Sequence, residues 1–271
     1  MKTKLFVSIA LSIFLFSQSI GGATLRANET SAIVDLSQHC LLGGVKNKRW
    51  IKADVVGKNL KGAQKFSLYT LNNAPSEIAF SKISNEDENE PCADFWFAET
   101  ESEIKEGIAI QSPTWNVMPR QPRAINADDT TYTKIVRNIL ISKGIKNPEV
   151  NITQGYKIDL DGDGTDEVVI AANRFENGVT PSASAGDYSF LLIRKIVNGK
   201  VQNIMFGEEY YPKAKESAIP SDSHISAIAD LNGDGIMELV LYGGYYEGSG
   251  SSVVEIRGNK AVTVLDCACG V

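Results

Sequence analysis

The sequence predicts a mainly β protein with two antiparallel repeats, each built round an acidic loop, plus an N-terminal β region and one connecting helix. Three observations carry this. The stretch Asp159-Leu160-Asp161-Gly162-Asp163-Gly164-Thr165-Asp166-Glu167 recurs as Asp230-Leu231-Asn232-Gly233-Asp234-Gly235-Ile236-Met237-Glu238. Each copy runs straight into a short apolar segment, Val168-Val169-Ile170 or Leu239-Val240-Leu241, of the kind that forms buried strands. One window only has a clear helical apolar stripe: Tyr132, Ile135, Val136, Ile139 and Leu140.

These signals divide the 271 residues into a leader at 1–23, an N-terminal β region at 24–127, a helix and linker at 128–149, and two repeats at about 150–220 and 221–271. In the leader, Lys2 and Lys4 precede the apolar run Leu5 to Phe16, which is too short to span a bilayer, and small residues lead to Ala23. A signal peptide cleaved after Ala23 would place the chain outside the cytoplasm, secreted or periplasmic, with no membrane span left. Cleavage leaves 25 basic against 33 acidic side chains, a net charge of −8, which argues against nucleic acid as a partner.

Residues 24–35 read as a loose arm, and Asn85 to Glu90, a run of Asn, Glu and Asp, as a solvated loop. From Cys40 the pattern is β, with Lys65 to Tyr69 an alternating strand for Glu77 to Phe80 to pair with. Pro113, Pro119 and Pro122 mark 112–127 as a connector. Asp129 is placed to cap the helix, and Gly144 and Pro148 to end it. In the first repeat a polar loop, Asn173 to Gly186, precedes a hairpin turning at Asn198-Gly199. In the second, Gly243 to Ser251 reads as the matching loop, before a hairpin turning at Gly258-Asn259.

The two acidic loops carry the chemistry. Oxygen side chains alternate at positions one, three and five, glycine at six permits a tight bend, and Glu at nine closes the set. Ca²⁺ takes six to eight oxygens at roughly 2.3–2.6 Å, and such a loop can offer them. The bland alternative is a pair of acidic turns, since Asp-Gly and Asn-Gly are common turn dipeptides. An EF-hand is excluded, because its position twelve would be Ile170 or Leu241 and strands flank the loop.

The loops resemble those of FG-GAP and VCBS repeats, in which Asp-x-Asp/Asn-x-Asp-Gly-x-x-Asp/Glu joins two strands of a propeller blade. The resemblance covers about residues 150–271 and implies propeller-blade-like repeats with two Ca²⁺ sites. Its ligands would be Asp159, Asp161, Asp163, the Thr165 carbonyl and Glu167, then Asp230, Asn232, Asp234, the Ile236 carbonyl and Glu238. Two loops do not make a closed ring, which needs about four blades.

Four cysteines allow three disulfide pairings. Joining Cys267 to Cys269 is awkward, so Cys40 and Cys92 are each expected to pair with one of them. The rival is a metal site formed by His39, Cys40, Cys267 and Cys269, whose spacing matches no common zinc pattern. His224, in Ser221-Asp222-Ser223-His224, reads as a turn residue, and there is no Gly-x-Ser-x-Gly elbow. The expectation is therefore a binding module rather than an enzyme, with structural calcium. Its partner would be a glycan or an extracellular protein, met through Tyr245, Tyr246 and Glu247. The alternative is a secreted hydrolase, for example one acting on glycans.

Overall fold

The computed structural model describes residues 30–60, 62–85 and 92–270. The expected signal peptide, the arm up to residue 29, and residues 86–90 of the acidic run lie outside the described residues. Mainly β structure is what the chain adopts: nineteen strands and two helices are described.

The N-terminal region forms an eight-stranded sheet. Its strands are β1 (Ser31–Asp35), β2 (Cys40–Lys46), β3 (Arg49–Lys52), β4 (Gln64–Tyr69), β5 (Ser76–Phe80), β6 (Lys82–Asn85), β7 (Trp96–Glu99) and β8 (Ile108–Ile110), with the short helix α1 (Ala53–Gly57) after β3. The pairing of β4 with β5 is as the alternation predicts. Residues 31–35 correct the loose-arm reading. They form β1, buried at every position and paired with both β2 and β8. Ser-Ala-Ile-Val-Asp offers a short β-branched run with little polarity, and two neighbouring strands satisfy its backbone.

The connector is not bare either. Arg123–Ala124 form β9, an edge strand on β10. Asp129 accepts the Thr131 N–H at 2.7 Å and starts α2 (Thr130–Ser142), and Gly144 follows it with φ +91°. The first unit then runs through β10 (Ile152–Ile158), β11 (Glu167–Arg174), β12 (Ser182–Ala183), β13 (Tyr188–Val197), β14 (Lys200–Tyr210) and β15 (Lys215–Glu216). Strands β10, β11, β13 and β14 make an antiparallel meander, and β12 pairs with β15 as a side ribbon. The second unit is a plain four-stranded meander: β16 (Asp222–Ala229), β17 (Glu238–Tyr245), β18 (Gly248–Arg257) and β19 (Lys260–Gly270). In both units the acidic loop joins the first two strands of the meander.

The sheets stack. Helix α2 covers one face of the first unit with Val136 and Leu140 against Ile170, Tyr188, Phe190 and Leu192. The opposite face, with Ile158, Val169, Leu191 and Ile193, packs on Ile225, Ile228, Leu239 and Leu241 of the second unit. The far face of the second unit, with Ala229, Val240, Val253 and Leu265, packs on Ile33, Leu42, Ile108 and Ile110 of the N-terminal sheet. The last apolar layer lies beneath α1, where Val56 meets Phe66, Phe80 and Trp96. The second unit is thus buried on both faces, which fits its nearly continuous apolar strands.

Two bridges, Cys40–Cys267 and Cys92–Cys269, tie the last strand to the N-terminal sheet. This is the pairing expected from the sequence, and it removes the cysteines from any metal site. No helix among the described residues is long and apolar enough to cross a membrane.

Candidate metal centres

Each acidic loop folds round its first carboxylate. In the first loop, Asp159 Oδ1 accepts the N–H of Gly162 at 2.7 Å and of Asp163 at 3.1 Å, while Oδ2 accepts Gly164 at 3.0 Å. In the second, Asp230 Oδ1 accepts Gly233 at 2.7 Å and Asp234 at 3.2 Å, while Oδ2 accepts Gly235 at 3.0 Å. The glycines at positions four and six all have positive φ, between +76° and +93°, which only glycine adopts without strain. At position five, Asp163 Oδ1 accepts the Thr165 N–H, and Asp234 Oδ1 that of Ile236. At position nine the agreement repeats. Glu167 Oε2 accepts the Leu160 N–H at 2.8 Å, and Glu238 Oε2 accepts that of Leu231 at 2.7 Å. Both glutamates are 1 % exposed.

The matched geometry brings Asp159, Asp161 and Glu167 together, with carboxylate oxygens within 4.8 Å of one another. Asp163 is exposed at the rim, as is Asp234 in the second loop, where Asn232 and Asp230 are buried. Such convergence of negative charge makes the first loop able to hold a hard cation on oxygen. Both ninth-position glutamates sit where burial disfavours their charge. Burial raises the Glu238 carboxyl to about 9, with the Asp234, Asp230 and Glu255 carboxylates adding to the effect. Glu167 is also raised by burial, opposed first by the Leu160 N–H and then by Lys195.

Part of the centre is not visible as such in the sequence. The connector grips both loops at equivalent points. Trp115 Nε1 donates to the Asp230 carbonyl at 2.8 Å and its ring lies against Gly233, where an added Cβ would come within 3.0 Å. Arg120 Nε donates to the Asp159 carbonyl, and its guanidinium lies over Gly162. Arg120 Nη2 also donates to the Leu160 carbonyl at 3.2 Å and the Gly235 carbonyl at 2.6 Å, so one side chain stitches the loops together. The Met237 N–H completes the seam on the Leu160 carbonyl at 2.7 Å. Nothing in the spacing of Pro113, Pro119 and Pro122 announces this. An indole and a guanidinium in a proline-rich connector are the only signal the sequence holds.

The expected ligand loop does not form. Gly243 to Ser251 continues β17 and β18 in register, leaving only Tyr246 and Glu247 as the turn. Its glycines serve close strand packing instead. An added Cβ on Gly248 would meet Gly270 Cα at 2.6 Å, and one on Gly250 would meet Ala268 Cβ at 2.8 Å. Tyr245 stacks edge-on with Tyr246, centroids 5.9 Å apart, and Tyr246 is exposed. His224 is also relocated. It is a strand residue of β16, ring centroid 4.8 Å from that of Tyr242, with Nε2 buried and 4.0 Å from Glu106 Oε1. Ser221 Oγ donates to Glu209 Oε1 at 2.6 Å rather than to His224.

Cavities lined by the described residues adjoin the stack. One, of about 910 Å³, is lined by the β2–β3 turn, α1 and the connector, and reaches Asn232 and Gly233 of the second loop. Its lining includes Asn47, Asn59, Gln111, Ser112 and Trp115. Another, of about 490 Å³, brings Glu103, Glu106, Gln154, Tyr156 and Ser226 together, with both glutamates open to solvent. Comparison with known proteins gave no matching family model, no matching curated protein and no matching solved structure.

Proposed function

We infer that the chain is an exported β protein whose acidic loops bind Ca²⁺ as structural clips, and that it acts as a binding module. The carrying observation is the position-by-position agreement of the two loops: a first carboxylate gripped by three loop amides, and a buried ninth-position glutamate held by the second residue's N–H. In each loop a glutamate is buried beside other carboxylates, where burial disfavours its charge and a bound cation would stabilise it. The FG-GAP-type reading draws support from the position of each loop between the first two strands of a four-stranded meander. Export draws support from the two disulfides.

The partner surface moves from Tyr245–Glu247 to the cavity of about 910 Å³. Its size is within the usual range for ligand sites, roughly 300–1,000 Å³. Amides, hydroxyls and one indole beside the second loop suit a sugar's hydroxyls and C–H face, which favours the glycan over the protein partner. The hydrolase reading would need carboxylates held apart in fixed roles. Glu103 and Glu106 are solvated, so it is not carried further.

The test is thermal unfolding with millimolar Ca²⁺ against EDTA. Binding to the native state alone adds about 2.7 kcal/mol per site at a hundredfold excess over Kd. Coincident melting curves would overturn the calcium reading, and the same assay with soluble oligosaccharides tests the ligand.

A further inference from the structure

The cavity of about 910 Å³ is lined against the grain of the composition. The chain has 33 acidic and 27 basic side chains, yet this lining holds two lysines, Lys46 and Lys48, and no aspartate or glutamate. Among the described residues the ion-paired lysines are Lys82, Lys143 and Lys195, so the ammoniums of Lys46 and Lys48 have no carboxylate partner there. The second acidic loop reaches the cavity through Asn232 and Gly233. At the position of Asn232 the first loop has Asp161, so the loop turns an uncharged amide to this wall.

The turn that carries the lysines is a second, independent sign. Lys46 pairs with Arg49 across β2 and β3, which leaves Asn47 and Lys48 as a two-residue turn with φ +52° and +62°. The hairpin of β13 and β14 closes in the same way. Val197 pairs with Lys200, and Asn198 and Gly199 have φ +51° and +72°. Both turns begin with Asn, but the second place is Gly in one and Lys in the other. Glycine takes that conformation without strain, and Asn-Gly is the favoured pair for it. A lysine there costs conformational energy, a cost that tends to be kept where a ligand is held. Here it places an exposed lysine on the cavity wall.

We propose that the cavity takes an acidic oligosaccharide, one bearing uronate carboxylates or sulfate esters, with Lys46 and Lys48 as its anion-binding pair. This rests on the glycan reading above and narrows it. The Trp115 indole and the amides of Asn47 and Asn59 serve the sugar ring and its hydroxyls, while the two ammoniums meet its charge. A lining without carboxylates sets no like charge against an anion, and a neutral sugar gains nothing from the lysines.

Isothermal titration of the disulfide-bonded full chain with three tetrasaccharides tests this: an oligogalacturonate, a chondroitin sulfate fragment and neutral cellotetraose. At about 50 mM salt at least one acidic probe should bind about tenfold more tightly than the neutral one, because two open ion pairs each add several-fold. The advantage should shrink at about 0.5 M salt, where screening is short-ranged. Lys48→Gly restores the favoured Asn-Gly turn, so the hairpin is kept while the charge is lost. It should weaken the acidic probe several-fold and leave cellotetraose unchanged, and Lys46→Gln with Lys48→Gly should abolish the preference. Equal binding of acidic and neutral probes, or a preference that survives the double variant, would overturn the proposal and leave the glycan reading in place. Binding of none of the three would overturn the glycan reading and the proposal with it.

Discussion

The two units share a loop but not a mode of attachment. The first unit is held by apolar packing, with α2 on one face and the second unit on the other. The second unit is buried between two sheets and is fastened covalently, since both disulfides end in β19. Its border with the N-terminal sheet is also polar at its end. Asp35 Oδ2 accepts from Ser251 Oγ at 2.7 Å, Gln38 Oε1 from Ser249 Oγ at 2.7 Å, and Ser37 and Ser226 share a bond of 2.8 Å. The border between the units has scattered polar contacts among the described residues: Gln154, whose amide joins the Ile225 N–H and carbonyl at 2.6 and 3.0 Å, Asn173 near the Ser223 carbonyl, and the Met237 N–H on the Leu160 carbonyl at 2.7 Å. The same local code is thus mounted once by packing with scattered polar contacts and once by packing, bridges and a polar seam.

The largest expected effect breaks the covalent part of that contrast. Replacing Cys40 and Cys267 together with Ser leaves Cys92–Cys269, which still joins the same two sheets. The remaining cost is one further closure, about 3–4 kcal/mol on the chain-entropy view. Denaturant unfolding should show it. Hydrogen exchange should quicken in β1, β2 and β19 while β11 and β13 keep their protection. Equal loss of protection in the first unit would mean that the stack opens as one and the contrast is only apparent.

Next in size is the strap over the loops. Arg120→Ala removes three charge-assisted bonds to backbone carbonyls, and Trp115→Ala removes one bond and the indole seated on Gly233. Each should cost about 2–3 kcal/mol, since hydrogen bonds from charged groups contribute about 1.5–3 kcal/mol and truncating a half-buried indole is of similar weight. On the calcium reading proposed above, Trp115→Ala should also weaken Ca²⁺ binding at the second loop, whose Asp230 carbonyl it holds, whereas Arg120→Ala should change binding less than it changes stability. Calorimetry on both variants separates the two effects. Equal calcium affinity in both would show that the strap supports the fold and not the loops.

How much of this is legible in the sequence is uneven, for physical reasons. The loops, α2 with its Asp129 cap, and the turns at Asn198-Gly199 and Gly258-Asn259 are local codes, and local codes survive folding. β1 escapes because five residues are too few for periodicity to separate a buried strand from a tail. Gly243 to Ser251 misleads because glycine signals a loop by composition, while here it lets β17, β18 and β19 lie close. That Lys195 bears on Glu167 and Glu255 on Glu238 cannot be read from a fixed period. Lys195 stands 28 residues after Glu167 and Glu255 only 17 after Glu238, because Asn173 to Gly186 extends the first unit alone. That longer loop is itself ordered: Asp187, buried, accepts from Arg174 Nη1, Glu176 N and Ser184 N.

The smallest effect sharpens the polar seam. Asp35 is fully buried, and burial raises its carboxyl to about 6 from 3.8 against the opposing Ser251 hydroxyl and Gln38 N–H. Below about pH 4 it is protonated folded or unfolded and makes stability no more pH-dependent. Between about 4 and 6 the native state holds a proton that the unfolded chain has released, so stability falls as pH rises. Above about 6 the native carboxylate is charged in a buried place where its Oδ1 has no hydrogen-bond partner. The loss across that window is on the order of 2 kcal/mol, taking roughly 1.4 kcal/mol for each pH unit that separates the folded from the unfolded value and allowing for relaxation. Asp35→Asn should therefore flatten the profile between pH 4 and 6.5. The readout is the difference between variant and unaltered chain at one fixed Ca²⁺ concentration, which cancels titration elsewhere. A difference that stays constant across the window would mean that the seam holds Asp35 charged throughout, and that its bonds to Ser251 and Gln38 outweigh its burial.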